Sequence, residues 1–182
     1  MRKAIVLISL VLLAALVMPA AAQDRTLTVA TTTTKPTIDG VIAKGEYGTP
    51  MVVANTTIAV ARSADVLSVA VSAQTQGWVA VGLGSNRMDG ATIFIGYVAG
   101  GKLQLKIQQG RGHSHSDLTS DAIIASAGKE VDGWTTIELA LKPAAFIVKG
   151  QKELPFIVAY GTADSFFALH AGRWTGTVKL TD

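Results

Sequence analysis

The stretch Gly77-Trp78-Val79-Ala80-Val81-Gly82-Leu83-Gly84-Ser85-Asn86-Arg87-Met88-Asp89-Gly90-Ala91-Thr92-Ile93-Phe94-Ile95-Gly96-Tyr97-Val98 decides the fold of this chain. Trp78 to Leu83 is short, apolar and bracketed by glycine, the pattern of a strand buried on both faces. Ala91 to Val98 is rich in β-branched and aromatic residues, as strands are. Ser85 to Gly90 between them is polar turn chemistry. Met88 is the exception in that turn. A thioether there either fills space beneath the loop or binds something.

Outward from this pair the chain reads strand after strand. Toward the N-terminus, Ile58 to Arg62 and Val66 to Ser72 flank the turn Ser63-Ala64-Asp65. Thr26 to Ala30 reads as an edge strand. Asp39-Gly40 is a turn pair, and Gly45-Glu46-Tyr47 follows, with Glu46 read as a turn-bonding carboxylate. Toward the C-terminus, Ala99-Gly100-Gly101 leads into Lys102 to Gln108, where Leu103, Leu105 and Ile107 alternate with polar residues. Residues 110–117 read as a polar loop. Ile123 to Glu130 and Trp134 to Leu141 form a hairpin through Val131-Asp132-Gly133. Pro143 begins a helical turn, and Pro155 to Tyr160 and Trp174 to Leu180 are the last strands. No long helical period and no internal repeat interrupts the series. The pattern predicts an all-β fold, an antiparallel immunoglobulin-like β-sandwich of roughly ten strands.

The chain has 182 residues, 49% of them apolar, enough for one domain with a core. Part of the apolar excess is N-terminal. Met1-Arg2-Lys3 is basic, Ala4 to Val17 is an apolar run broken only by Ser9, and Pro19-Ala20-Ala21-Ala22 supplies an Ala-x-Ala cleavage site. Residues 1–22 are therefore expected to be a secretory signal peptide, leaving a single domain over 23–182. The expected location is secreted or periplasmic, with the membrane touched only peripherally.

Charge and cysteine usage exclude whole classes of partner. Removing Arg2 and Lys3 with the leader takes the formal charge of +3 close to neutral. No run of lysines and arginines remains to track nucleic acid. The chain has no cysteine. Disulfides, covalent c-type haem and Cys-ligated iron–sulfur clusters are all excluded. No Gly-x-Ser-x-Gly, Walker or dinucleotide fingerprint occurs, and the chain is not expected to be an enzyme.

Gly77 to Gly82, Met88, and Gly90 to Val98 together resemble the core of the DOMON family. There a Gly-Trp-apolar strand precedes a Met-bearing loop and a second strand of this kind. The resemblance implies a β-sandwich. For the haem-binding branch it implies a non-covalent haem b held between that Met and a His near the C-terminal end of the domain. His170, in Ala168-Leu169-His170-Ala171-Gly172-Arg173, stands where that His is expected. Met88 and His170 are then the metal ligands. Trp78 and Phe94 are expected to wall the pocket, with Tyr97, Phe166, Phe167 and Trp174 as further candidates. Arg87 and Arg173 flank the two ligands and suit haem propionates. Two protein ligands leave no open iron position, which points to electron transfer with a separate redox partner, a dehydrogenase or a membrane cytochrome.

Two other readings stand beside this one. His113 and His115 are two apart, so on an extended segment they face the same way and could share a metal with Asp117. Either could also replace His170 as a haem ligand. Alternatively the domain is a carbohydrate- or small-ligand-binding sandwich without haem, with Trp78, Trp134 or Trp174 as a stacking face.

Overall fold

The computed structural model describes residues 25–181. The expected signal peptide, 1–22, lies outside the described residues. The fold begins with β1 (Thr26–Ala30), β2 (Met51–Val53), β3 (Thr56–Arg62), β4 (Leu67–Ala73), β5 (Val79–Leu83) and β6 (Thr92–Ala99). It continues with β7 (Lys102–Arg111), β8 (Ser114–Asp117), β9 (Ile123–Val131), β10 (Trp134–Leu141), β11 (Glu153–Tyr160) and β12 (Gly172–Thr181). A single 3-10 turn, Pro143–Ala145, separates β10 from β11.

The strands form two sheets. One runs β1-β12-β11-β5-β6-β7-β8 and the other β2-β3-β4-β10-β9. The strand ladders are antiparallel except β1 against β12, which is parallel. Local chemistry explains the hairpins. Asp132 and Gly133 both take positive φ between β9 and β10, as do Gly100 and Gly101 between β6 and β7. Two successive positive φ values make the primed turn that matches strand twist.

The inter-sheet core follows from strand alternation. Val79, Val81 and Leu83 of β5 and Phe94 of β6 face Val69, Val71, Ile137 and Leu139 of the other sheet. Phe94 is fully buried there and meets Phe146 edge-on, with ring centroids 5.8 Å apart.

The polar loop expected over 110–117 is instead a hairpin. Gly110 pairs with His115 and Arg111 with Ser114, leaving Gly112 and His113 as a two-residue turn. Gly112 has φ 57° and His113 does not have positive φ, the signature of the turn with glycine at its first central position. A short, fully exposed edge strand carries no apolar alternation, so its residues look like loop chemistry.

On the outer face of the five-stranded sheet, Glu138 is completely buried. Its Oε2 accepts the backbone N–H groups of Asp39, Gly40 and Val41 at 2.9, 2.7 and 3.2 Å. Its Oε1 accepts the Tyr47 hydroxyl at 2.7 Å. The Asp39-Gly40 turn thus clamps a buried carboxylate. Glu46 serves its own turn, accepting from the Thr37 and Ala43 N–H groups at 3.2 Å each.

Candidate functional site

A second apolar cluster lies on the outer face of the seven-stranded sheet. Ala80 and Gly82 of β5 pair with Ala159 and Ile157 of β11, and with Ile95 and Ile93 of β6. Paired residues share a face, so these side chains make one apolar floor. Ala80, Gly82 and Ala159 are small and leave a trough between the isoleucines. The segment 161–171 folds over one side of it. Gly161 N–H donates to the Trp78 carbonyl at 2.9 Å, and Trp78 N–H to the Ala163 carbonyl at 3.3 Å. A Cβ on Gly77 would collide with the 161–163 backbone, and one on Gly161 with the Trp78 indole. These two glycines let the segment lie against Trp78. Phe166 then packs on Tyr97, with ring centroids 4.8 Å apart.

The trough holds two adjoining cavities of about 530 and 550 Å³. Both are lined by Met88, His113, Ile157, Ala159, His170 and Arg173. The first adds the isoleucine floor, Trp78, His115, Phe166 and Phe167. The second adds Arg25, Arg87, Asp89 and Trp174. All three histidines of the chain therefore reach one site with Met88.

Met88 sits in a pinned turn. Its carbonyl accepts the Ala91 N–H at 3.1 Å, and the Ser85 hydroxyl donates to the Asp89 carbonyl at 2.8 Å. The end of β7 lies against this turn. Gly110 N–H donates to the Ala91 carbonyl at 2.9 Å, and Gly90 N–H to the Gly110 carbonyl at 3.2 Å. A Cβ on Gly110 would overlap the Met88 carbonyl. Asp89 Oδ1 accepts the Gly112 N–H at 2.9 Å, tying the Met88 turn to the hairpin that carries His113.

His170 is exposed at the end of the 161–171 segment. Its Nε2 lies 3.5 Å from Arg173 Nη1. A guanidinium only donates, so in any hydrogen bond between the two Nε2 is the acceptor. Arg25, Arg87 and Arg173 make the second cavity cationic. The only carboxylate lining it is Asp89, which is bonded to Gly112.

Phe94 was expected at this site and is not there. It lies between Ile93 and Ile95 on β6, and period-2 alternation turns it to the inter-sheet core while its neighbours face the trough. Trp78 and Arg87, with Met88, His170 and Arg173, do line the cavities. Tyr97 supports Phe166 from outside them. Asp117 does not join His113 and His115. It accepts from Lys106 Nζ at 2.6 Å and Gln108 Nε2 at 2.8 Å. Those bonds, that to Lys106 first, hold its carboxyl below the usual carboxylate range. Among the described residues no three His, Asp or Glu side chains converge as a metal site. Sequence reading missed Arg25, Ile157 and Ala159. The alternation of Ile157 and Ala159 within Pro155 to Tyr160 was the available signal for two of them; Arg25 had none.

The site can be tested against a haem. Two buried indole N–H groups, those of Trp78 and Trp174, have no hydrogen-bond partner. Trp78 and Trp174 each line one of the two cavities, but both N–H groups are buried, that of Trp78 against Gly161. An apolar floor, one thioether, imidazoles and a cationic rim fit a flat apolar ring bearing carboxylates.

Residues 54–142 match the DOMON domain family. Residues 54–142 form a DOMON domain. The matched span runs from just before β3 to just after β10. It contains Met88, His113 and His115 and ends before His170. No curated protein matches the chain. Two solved structures are similar in fold. A family 9 carbohydrate-binding module from Caldicellulosiruptor kristjanssonii, in complex with cellotriose, has a TM-score of 0.53 at 11% identity, covering 86% of this chain and 94% of that one. The cytochrome b domain of pyranose dehydrogenase from Coprinopsis cinerea has a TM-score of 0.54 at 12% identity, covering 68% of this chain and 76% of that one. At these identities the likeness is one of fold. Among the described residues, no helix is long and apolar enough to cross a membrane.

Proposed function

We propose that the DOMON domain binds a b-type haem non-covalently between Met88 and His170 and passes single electrons to or from a separate redox protein. The observation that carries this is that Met88 and His170, distant in sequence, line the same two adjoining cavities. A bound haem would supply one-electron chemistry. The chain supplies the rest. Met88 offers a soft thioether and His170 an imidazole, a pair that raises the potential of iron. Ala80, Ile93, Ile95 and Ile157 keep water from the ring. Arg87 and Arg173 neutralise carboxylates at the rim, with Arg25 as a further donor.

Were Met88 and His170 both to hold the group, no position would be left open for a substrate, and the domain would act as an electron carrier and not as an enzyme by itself. A dehydrogenase or a membrane cytochrome is the partner class. The N-terminal 22 residues act as an export signal, so the exchange takes place in the periplasm or outside the cell. Absorption spectra of the purified protein with added hemin, oxidised and reduced, test the proposal. A sharp Soret band that shifts with dithionite supports it; a protein that stays colourless with hemin present removes it.

A second reading, carbohydrate binding, draws on the other sheet. A cavity of about 480 Å³ on its outer face is lined by half-buried Trp134 with Thr57, Ser72, Thr136 and Lys129. Ser72 Oγ and Thr136 Oγ1 are 2.7 Å apart. An aromatic face beside hydroxyls and an amine suits a pyranose ring. Titration with cello-oligosaccharides, read by tryptophan fluorescence in the wild type and Trp134→Ala, tests it. A signal absent from the wild type ends this reading.

A further inference from the structure

We propose that His113 is a second axial base of the same site, competing with Met88 for one face of the haem; this rests on the haem-binding reading above. Met88 and His113 belong to a single rigid end of the seven-stranded sheet. The β5–β6 turn carries one and the β7–β8 turn the other. The two turns are joined by Gly112 N–H to Asp89 Oδ1 at 2.9 Å and by the paired bonds between Gly110 and residues 90 and 91. The missing side chain of Gly110 brings them into backbone contact. His170 approaches from a different segment, 161–171. A ring clasped by His170 therefore has a thioether and an imidazole on offer from one and the same opposing element.

His113 is better placed for this than His115. His113 lines both cavities, as Met88 and His170 do, whereas His115 lines only the first. His113 also occupies the second position of an exposed two-residue turn, where its side chain is free of the ladder that holds His115 opposite Gly110. The chemistry separates the two donors by oxidation state. A neutral imidazole is the stronger partner of ferric iron, and a thioether favours the ferrous form. Met88 therefore holds the reduced protein and His113 enters in the oxidised one. One iron–sulfur bond breaks and one iron–nitrogen bond forms. The electron leaves to the one-electron acceptor.

The test uses full-length mature protein loaded with hemin, with spin state read by absorption and electron paramagnetic resonance. Ferric Met88→Ala should stay low-spin with a bis-imidazole signature, and Met88→Ala/His113→Ala should become high-spin. Met88→Ala/His115→Ala should match Met88→Ala. In His113→Ala the ferric protein should show the near-infrared thioether-to-iron band at full strength, with a potential shifted positive. That single variant keeps the test open should the Met88 variants misfold, as monitored by circular dichroism. High-spin ferric Met88→Ala in a protein whose wild type is low-spin overturns the role of His113 and leaves haem binding intact. A wild type that takes up no hemin overturns both, and is recognised because no variant then has a Soret band.

Discussion

Arg173 points its guanidinium Nη1 at Nε2 of His170, 3.5 Å away, across the rim of the trough. The contact is long and exposed, so it is weak. It nonetheless places a fixed positive charge beside the nitrogen that would bind iron. A cation there disfavours the oxidised, more positive centre. Arg173→Gln should lower the midpoint potential of the haem-loaded protein. At high effective dielectric the shift should be roughly 10–30 mV, shrinking as salt is added. Redox titration at low and high ionic strength checks it, and an unmoved potential at low salt would place Arg173 away from the ring.

His170→Ala should weaken hemin binding by more than the roughly 10–100-fold that loss of a supporting residue costs. Hemin titration followed at the Soret band measures it. Undiminished affinity with a low-spin spectrum would transfer the ligand role to another histidine.

Gly110→Ala should destabilise the protein. The added methyl collides with backbone, the Met88 carbonyl, and not with a side chain that can swing away. Overpacking of this kind costs about 1–3 kcal/mol. The urea midpoint should fall with the slope unchanged. Gly48→Ala, where a Cβ meets nothing within 4 Å, is the control and should stay within about 0.5 kcal/mol of wild type.

Glu138→Ala should be far more damaging, on the order of 3–5 kcal/mol. It orphans three backbone N–H groups and the Tyr47 hydroxyl at once. Tyr47→Phe should cost about 1.5–3 kcal/mol, since it removes one bond to a buried charge. Chemical denaturation of both variants orders the two effects; equal losses would contradict this account.

Tyr47 also sets an alkaline limit. Burial first, and then the bond to Glu138, push its hydroxyl well above the ordinary tyrosine range. The unfolded chain releases that proton near pH 10 while the folded chain keeps it. Above pH 10 the unfolded state therefore binds fewer protons, and stability should fall as pH rises. Denaturation midpoints across that range should show the decline, and Tyr47→Phe should lessen it.

Much of the fold was legible in the sequence because its signals are local. Alternation at period 2 marks strands such as Leu103 to Ile107 without knowledge of the rest of the chain. Asp132-Gly133 and Gly100-Gly101 can adopt the backbone a hairpin turn needs. Met88 stood out because a thioether is foreign to a polar turn. The sequence by itself thus determined a β-sandwich, most of its hairpins, and a suspicion about one sulfur and one imidazole.

Only the tertiary structure decided which side of each strand faces what. Ile93, Phe94 and Ile95 are equally apolar, and nothing local says that Phe94 enters the core while its neighbours floor the trough. That choice depends on the second sheet, which covers one face and leaves the other. The edge strand at 114–117 has no apolar pattern and exists because β7 offers it a ladder. The meeting of Met88, His113, His115 and His170 rests on pairings between strands far apart in the chain and on two glycines, Gly77 and Gly161, that admit the covering segment. Those are contacts of shape at long range, and residue types read one at a time do not carry them.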